Sequence, residues 1–333
     1  MKLFSIVNAS KCKYIKILGI TLYRKKIFHD VMKREVLYGL ISSVATQNSK
    51  DYKIMGIKIY SSKNKYLQIK NEIISAVDYI IKKRLSTYCL HQKTFLPFKN
   101  KHRGESVVLV GAGPSVLQYI PLKKTYHLGL NRAFKFDKVH FDYLFAIDQS
   151  GICEYYDEFA SYPNCTKFVG DQDNGPNFQI PESYALSMDC LRYKTSVHLP
   201  SGRFAFDIDT EPLGNFCSVS LQAAQFLLYT NPKKIYLVGI DCNLATGGHF
   251  VGGVYDISSR GESLSVNDSR SINDWKNLKN FAETYYPDTE IISINPVGLK
   301  GVFKDIYTNE NGEYVDENGI ILENVELSNM QKI

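Results

Sequence analysis

The feature that most restricts the fold is a run of five residues, Ser106-Val107-Val108-Leu109-Val110, cut off by Gly111-Ala112-Gly113-Pro114-Ser115. A short β-branched run without polar alternation reads as a strand buried on both faces, and such strands belong to parallel sheets. Tyr126–Leu130 and Tyr143–Ile147 repeat the pattern and end on polar residues, Asn131 and Asp148. A helix from about Ser218 to Tyr229 leads through Asn231-Pro232 into the strand Lys234–Gly239, with Ile240-Asp241 after it. A second helix, about Ile272–Tyr286, leads to the strand Glu290–Ile294. Strands alternating with helices predict an α/β, Rossmann-like, mostly parallel sheet with helices on both faces. In such sheets ligands bind beyond the carboxyl ends of the strands. The polar residues that close the strands are therefore the candidates for chemistry.

The first 103 residues differ in character. They hold 22 Lys and Arg against 5 Asp and Glu, a balance of +17, while the rest of the chain carries 18 against 29, a balance of −11; together these give the net +6. This asymmetry points to an anionic partner: a membrane face, a charged glycan or nucleic acid. Attraction between the two halves of the chain is the other reading. The region also contains a repeat. Lys16-Ile17-Leu18-Gly19-Ile20-Thr21-Leu22-Tyr23 returns as Lys53-Ile54-Met55-Gly56-Ile57-Lys58-Ile59-Tyr60. Both copies read as short strands with a bend or tight turn, and they could pair with each other. A helix over about 64–86 follows, with Leu67, Ile73, Ile74, Val77, Ile80, Ile81 and Leu85 at three- and four-residue spacing. It is either a packed amphipathic helix or one that lies on a membrane surface. Residues 91–105 read as a linker. The expected organisation is a small basic α+β region, 1–103, a catalytic domain, 104–306, and an acidic, turn-rich tail, 307–333, with Asn311-Gly312 and Asn318-Gly319 as hairpin turns.

Composition removes several classes. With 44% hydrophobic and 22% charged residues the chain is a globular one, not a disordered one. No run of about 18 apolar residues occurs, so no transmembrane helix is expected. The opening MKLFSIVNASKCKYIKILGI is too polar and broken for a signal peptide, which points to a cytoplasmic chain, or one peripheral on the inner membrane. The seven cysteines are odd in number and show no CxxC spacing, which disfavours a disulfide framework and a zinc site. Reduced, mostly buried thiols are expected.

The candidate site combines several short segments. Gly111 and Gly113 follow a buried strand directly, where glycines let a ligand approach the backbone and free N–H groups hold phosphate. The segment lacks the third glycine of a dinucleotide fingerprint, since Val116 stands there, and no GK[ST] follows to make a P-loop. A bland tight turn is the alternative. Asn131, Asp148, Ser218 and Asp241 sit at strand or helix ends; each alone suits a cap or turn, and together on one edge they suit a nucleotide pocket. His249, in Thr246-Gly247-Gly248-His249-Phe250-Val251-Gly252-Gly253, is a candidate base on a loop that can close, or else a surface histidine. No metal site can be assembled from the sequence.

Taken in order, these pieces resemble the Campylobacter-type bacterial sialyltransferases and their wider relatives, the motility-associated nonulosonate transferases and the archaeal 6-hydroxymethylpterin pyrophosphokinases. The resemblance spans about 106–303. Val110-Gly111-Ala112-Gly113-Pro114-Ser115 is similar to the family's first strand and nucleotide loop. Gly129-Leu130-Asn131-Arg132 resembles the segment whose Asn faces the donor near its leaving phosphate. Ser218 stands where the family has a Ser opening a helix beside the donor. Ile235–Asp241, which includes Gly239, is similar to the segment lining the nucleotide pocket, and Gly248–Gly252 to the one carrying the catalytic His. Ser293-Ile294-Asn295-Pro296 resembles the last core strand and its exit. The resemblance implies inverting transfer of an acidic sugar from a CMP donor, with His249 as base and no metal or other cofactor. Donor contacts would come from Gly111, Gly113, Pro114, Ser115, Asn131, Arg132, Asp148, Ser218, Gly239 and Asp241. Departures are present: Cys242 and Asn243 replace a Tyr pair, Asn215 and Phe216 stand where an Arg is usual, and Asp148 lies near an Asn that contacts the sugar carboxylate.

The reading that follows is a glycosyltransferase that builds a bacterial surface polysaccharide, such as a lipopolysaccharide or capsule, or a lipid-linked glycan. Its partners are a nucleotide sugar, a glycan acceptor and an anionic membrane surface, at about 1 kcal/mol per basic residue near the lipid, with no nucleic acid. The alternatives are a pyrophosphokinase-like enzyme using Mg-ATP held by Asp148 and Asp241, and a non-catalytic nucleotide-binding assembly factor.

Overall fold

The computed structural model describes residues 4–9, 12–17, 20–28, 31–36, 41–45, 50–54, 57–59, 63–147, 156–171, 189–196, 204–214, 218–243 and 261–322. The chain divides into two compact units, Met1–Ile81 and Lys82–Ile333.

The first unit is a meander of seven antiparallel strands: β1 (Phe4–Ala9), β2 (Cys12–Ile17), β3 (Ile20–Phe28), β4 (Val31–Val36), β5 (Ile41–Ala45), β6 (Lys50–Ile54) and β7 (Ile57–Ile59). The repeated octapeptide acquires a clear meaning here. In one copy Ile17 pairs with Ile20, and in the other Ile54 pairs with Ile57. Each copy is thus a hairpin closed on itself, and the copies do not pair with each other. Two residues separate the paired isoleucines, the second a glycine in both copies, which is the composition two-residue hairpins favour.

A helix of 33 residues, α1 (Lys63–Phe95), follows and runs past the 86 expected from its apolar period. Its last turns belong to the second unit. His91 is fully buried; its Nδ1–H donates to Ile208 O at 2.7 Å and its Nε2 accepts from Lys194 N at 2.7 Å. Thr94 Oγ1 donates to Arg192 O at 2.7 Å. The stretch read as a linker, 91–105, is instead built into the core through Phe95, Phe98 and His102. Pro97 has no N–H to donate to Lys93 O, so the α-helix stops at Phe95 and passes into a 3-10 turn, Leu96–Phe98.

The second unit is a ten-stranded sheet: β8 (Ser106–Val110), β9 (Thr125–Leu130), β10 (Tyr143–Ala146), β11 (Thr166–Asp171), β12 (Leu191–Ser196), β13 (Leu213–Gly214), β14 (Lys234–Val238), β15 (Glu290–Ile294), β16 (Lys304–Thr308) and β17 (Tyr314–Val315). Its order is β13-β12-β11-β10-β9-β8-β14-β15-β16-β17, with every pair parallel except β16 and β17. The expected α/β architecture is therefore present. Its described helices are the last turns of α1, the short α2 (Tyr156–Ser161), α3 (Val219–Tyr229) and α4 (Gly261–Tyr285).

Period-two alternation divides β8 between two cores. Val107 and Leu109 join Phe95, Phe145, Phe168, Phe226 and Trp275 on one face, while Val108 and Val110 join Tyr119, Phe134 and Phe141 on the other. Phe168 stacks on Phe145 at 4.6 Å and tilts on Phe226 at 4.8 Å. The segment 307–322, expected to be a separate tail, completes the sheet. Tyr314 is buried, and its hydroxyl donates to Ile120 O at 2.8 Å. Cys89, Cys165, Cys190 and Cys242 are free thiols, the first exposed and the others half-buried rather than buried as expected. Among the described residues no helix is long and apolar enough to cross a membrane.

Candidate functional site

The strand order reverses between β8 and β14. The chain leaves β8 outward through β9 to β13, then returns on the other side of β8 as β14. In open parallel sheets the crevice beyond this reversal is where ligands lodge. The loops that flank it are the two glycine-bearing segments singled out from the sequence.

These loops interlock. Gly111 N donates to Val238 O at 2.8 Å, and Gly113 N to Gly239 O at 2.9 Å, so the pairing of β8 with β14 continues beyond the strands. The approach leaves no room for side chains. A Cβ on Gly113 would fall 2.4 Å from Asp241 Cγ, and one on Gly239 would fall 2.7 Å from Gly111 O. Gly239 also has φ +64°, in the left-handed region. Pro114 then opens a 3-10 turn, Pro114–Gln118. Asp241 closes the arrangement: its carboxylate accepts from Ser115 N at 3.1 Å and from Ser115 Oγ. Ser115 and Asp241 therefore clamp the two loops together. The Asp241 carbonyl in turn accepts from Gly298 N at 2.7 Å, which ties in the loop after β15.

Asn131 follows β9, the other neighbour of β8. It has φ +45°, a conformation Asn tolerates better than most residues, and it begins the turn Asn131–Lys135. Its Oδ1 is buried and has no hydrogen-bond partner among the described residues. Arg132, beside it, is half-buried. Ser218 caps α3, its Oγ accepting from Ser220 N at 3.3 Å and hydrogen-bonding Ser220 Oγ at 2.7 Å. α3 leads into the amino end of β14, so its own N-terminus, with outward N–H groups and the positive end of its dipole, lies toward the carboxyl edge. The helix is buried along its whole length.

The structure thus brings Gly111, Gly113, Pro114, Ser115, Gly239 and Asp241 into one interlocked pair of loops, with Asn131, Arg132 and Ser218 along the same edge. Asp148 and His249 lie outside the described residues. Asn295 serves the fold: its Oδ1 accepts from Thr308 N at 2.8 Å and its Nδ2 donates to Thr308 Oγ1 at 3.0 Å. Among the described residues no three His, Cys, Asp or Glu side chains are placed to hold a metal ion. Burial holds His91 and His127 down to about 4 and also lowers His102, so these three rings are neutral and serve as fixed hydrogen-bonding groups.

Sequence reasoning passed over Gln222, Tyr193 and Thr195. Gln222 and Gln225 are polar residues in an otherwise apolar stretch of α3, which is the signal that marks them. Gln225 is satisfied, with Oε1 accepting from Ala205 N at 3.0 Å and Nε2 donating to Leu221 O at 3.2 Å. Gln222 is only half satisfied: Tyr193 OH donates to its Oε1 at 3.1 Å, and its Nε2 has no partner among the described residues.

No protein-family model matches the chain, and no curated protein matches it. Among solved structures, the sialyltransferase CstII from Campylobacter jejuni, determined in complex with the substrate analogue CMP-3FNeuAc, is similar over 57% of this chain and 80% of that one, at 12% identity and a TM-score of 0.34. The likeness is one of distant fold.

Proposed function

We propose that the crevice binds a nucleotide sugar and that the chain is a glycosyltransferase. The observation that carries this reading is the interlock of Gly111–Ser115 with Gly239–Asp241 at the strand-order reversal. Gly111 N, Gly113 N and Ser115 N are engaged in the interlock itself, so the N–H groups a ligand would meet are those at the α3 N-terminus along the same edge. These features suit a phosphate-linked ligand. The finer reading is a CMP-linked acidic sugar transferred with inversion and without a metal.

In that reading His249 takes the proton from an acceptor hydroxyl. The oxygen attacks the anomeric carbon from the face opposite the nucleotide. The bond from that carbon to the phosphate oxygen breaks, and both electrons leave with CMP. N–H donors of the first turn of α3 stabilise the leaving phosphate. The basic first unit and α1 would rest against an anionic lipid surface that holds the acceptor. Support comes from the exposure of Ile74, Ile81 and Leu85 on α1, a helix with seven basic and two acidic residues.

A thermal-shift screen with CMP, CDP, UDP, GDP and ATP, each with and without Mg²⁺, tests the proposal. A shift with CMP that does not need Mg²⁺ is expected. A shift only with Mg-ATP overturns the transferase reading, and so does the absence of any shift.

A further inference from the structure

Gln222 is fully buried in the second turn of α3, yet only one end of its amide is engaged. A buried amide N–H without a partner carries an uncompensated desolvation cost. Such a group is either met by water or reserved for a ligand. Its surroundings are specifically arranged. Tyr193 lies across β11 because Gly170 has no side chain: a Cβ there would fall 2.7 Å from Tyr193 Cζ and 2.8 Å from Ile147 Cγ1. The tyrosine hydroxyl thereby reaches Gln222 Oε1 at 3.1 Å and lies 3.5 Å from Ala146 O, at the carboxyl end of β10. Gly170 and Tyr193 thus hold one end of the amide, with Oε1 at the tyrosine hydroxyl and Nε2 left open.

A second open group stands nearby. Thr195 follows Tyr193 by two residues on β12, so it shares the face of the sheet toward Gln222 and lies one pleat nearer the carboxyl edge. It is 1% exposed, and its Oγ1 has no partner among the described residues. The N-terminus of α3 faces this same edge. β10 is separated from β8 only by β9, which places the amide about 10 Å along the edge from the Gly111–Ser115 loop. A sugar joined to a nucleotide seated on that loop spans this distance.

Resting on the transferase reading, we infer that Gln222 Nε2 belongs to the subsite for the sugar half of the donor and receives one of its hydrogen-bond-accepting oxygens, a carboxylate or a hydroxyl, while Thr195 Oγ1, farther along the same edge, meets a second one. Gln222 is then a specificity-determining residue and Tyr193 its positioning residue.

The test is calorimetric titration of the full chain with CMP, CMP-N-acetylneuraminate, CMP-Kdo and a neutral sugar nucleotide, in wild type, Gln222→Met, Gln222→Glu, Tyr193→Phe and Thr195→Val. Melting curves check that each variant is folded. The expected result is CMP affinity within twofold of wild type in every variant, with sugar-nucleotide affinity falling about tenfold in Gln222→Met. Gln222→Glu should fall further for the carboxylated sugars than for the neutral one if the oxygen read is a carboxylate, and equally if it is a hydroxyl. Unchanged sugar-nucleotide affinity in Gln222→Met means that buried water meets the amide, and it overturns the inference while the transferase reading stands. A wild type that binds the sugar nucleotides no tighter than CMP overturns it as well. A wild type that binds no nucleotide removes the transferase reading and this inference together.

Discussion

At the amino edge of the ten-stranded sheet His102 uses both ring nitrogens, Nδ1 with Glu105 Oε2 at 2.7 Å and Nε2 with Tyr143 OH at 2.8 Å, and Tyr126 covers the ring at 4.3 Å. At the carboxyl edge Asn131 Oδ1, Thr195 Oγ1 and Gln222 Nε2 are equally hidden but have no partners among the described residues. Both clusters are polar, and both sit at strand ends of one sheet. The difference is completeness. A satisfied buried network rigidifies a fold, whereas a partly satisfied one carries a standing cost that an occupant can remove. The His102 cluster therefore serves the fold, and the open groups at the carboxyl edge are the ones the proposed ligand would meet.

That contrast can be broken most forcefully with His249. Under the transferase reading His249→Ala lowers the rate of transfer by about 10²- to 10⁴-fold while the nucleotide dissociation constant stays within twofold. Retained turnover removes His249 from the role of base. A smaller effect belongs to the satisfied histidines. His91 and His127 are held down to about 4 by burial, whereas the unfolded chain takes up a proton near 6.5. The unfolded state thus binds more protons between those limits, so the stability these rings contribute is complete above about pH 6.5 and is lost as the pH falls toward 4. Each contributes on the order of 3 kcal/mol. Urea unfolding at several pH values across this window should show the decline, and a flat profile would falsify the assignment of these rings as neutral, fixed groups.

Much of the central sheet was legible. β8, β10 and β14 read as apolar runs, with Ser106 and Lys234 only at their starts, β9 and β15 keep an apolar majority because both faces are covered, and Gly111 and Gly239 mark where β8 and β14 stop. β11 and β12 were not legible. Thr166–Asp171 and Leu191–Ser196 carry Lys167, Arg192 and Lys194, which obscure the apolar pattern. The far end of α1 was missed for a related reason. His91 and Thr94 interrupt the apolar spacing, yet they are the residues that fasten the helix to Ile208, Lys194 and Arg192. Within the site, the glycines and Asp241 stood out by their position after strands. That Ser115 and Asp241 would hold each other is a tertiary fact, 126 residues apart in sequence, and no local pattern encodes it. Gln222 was visible as an anomaly in an apolar helix, but its open amide depends on Tyr193 and Gly170 from other strands.

The most direct test of the central claim, that the carboxyl-edge crevice binds the nucleotide, is titration of CMP into wild type, Gly113→Val and His102→Leu. A valine at 113 must displace Asp241 and open the interlock, since even a Cβ would meet its Cγ at 2.4 Å. The account predicts that Gly113→Val weakens CMP binding at least about tenfold. His102→Leu should lower the melting temperature and bind CMP as wild type does. CMP binding unchanged in Gly113→Val, or lost in a folded His102→Leu, would contradict it.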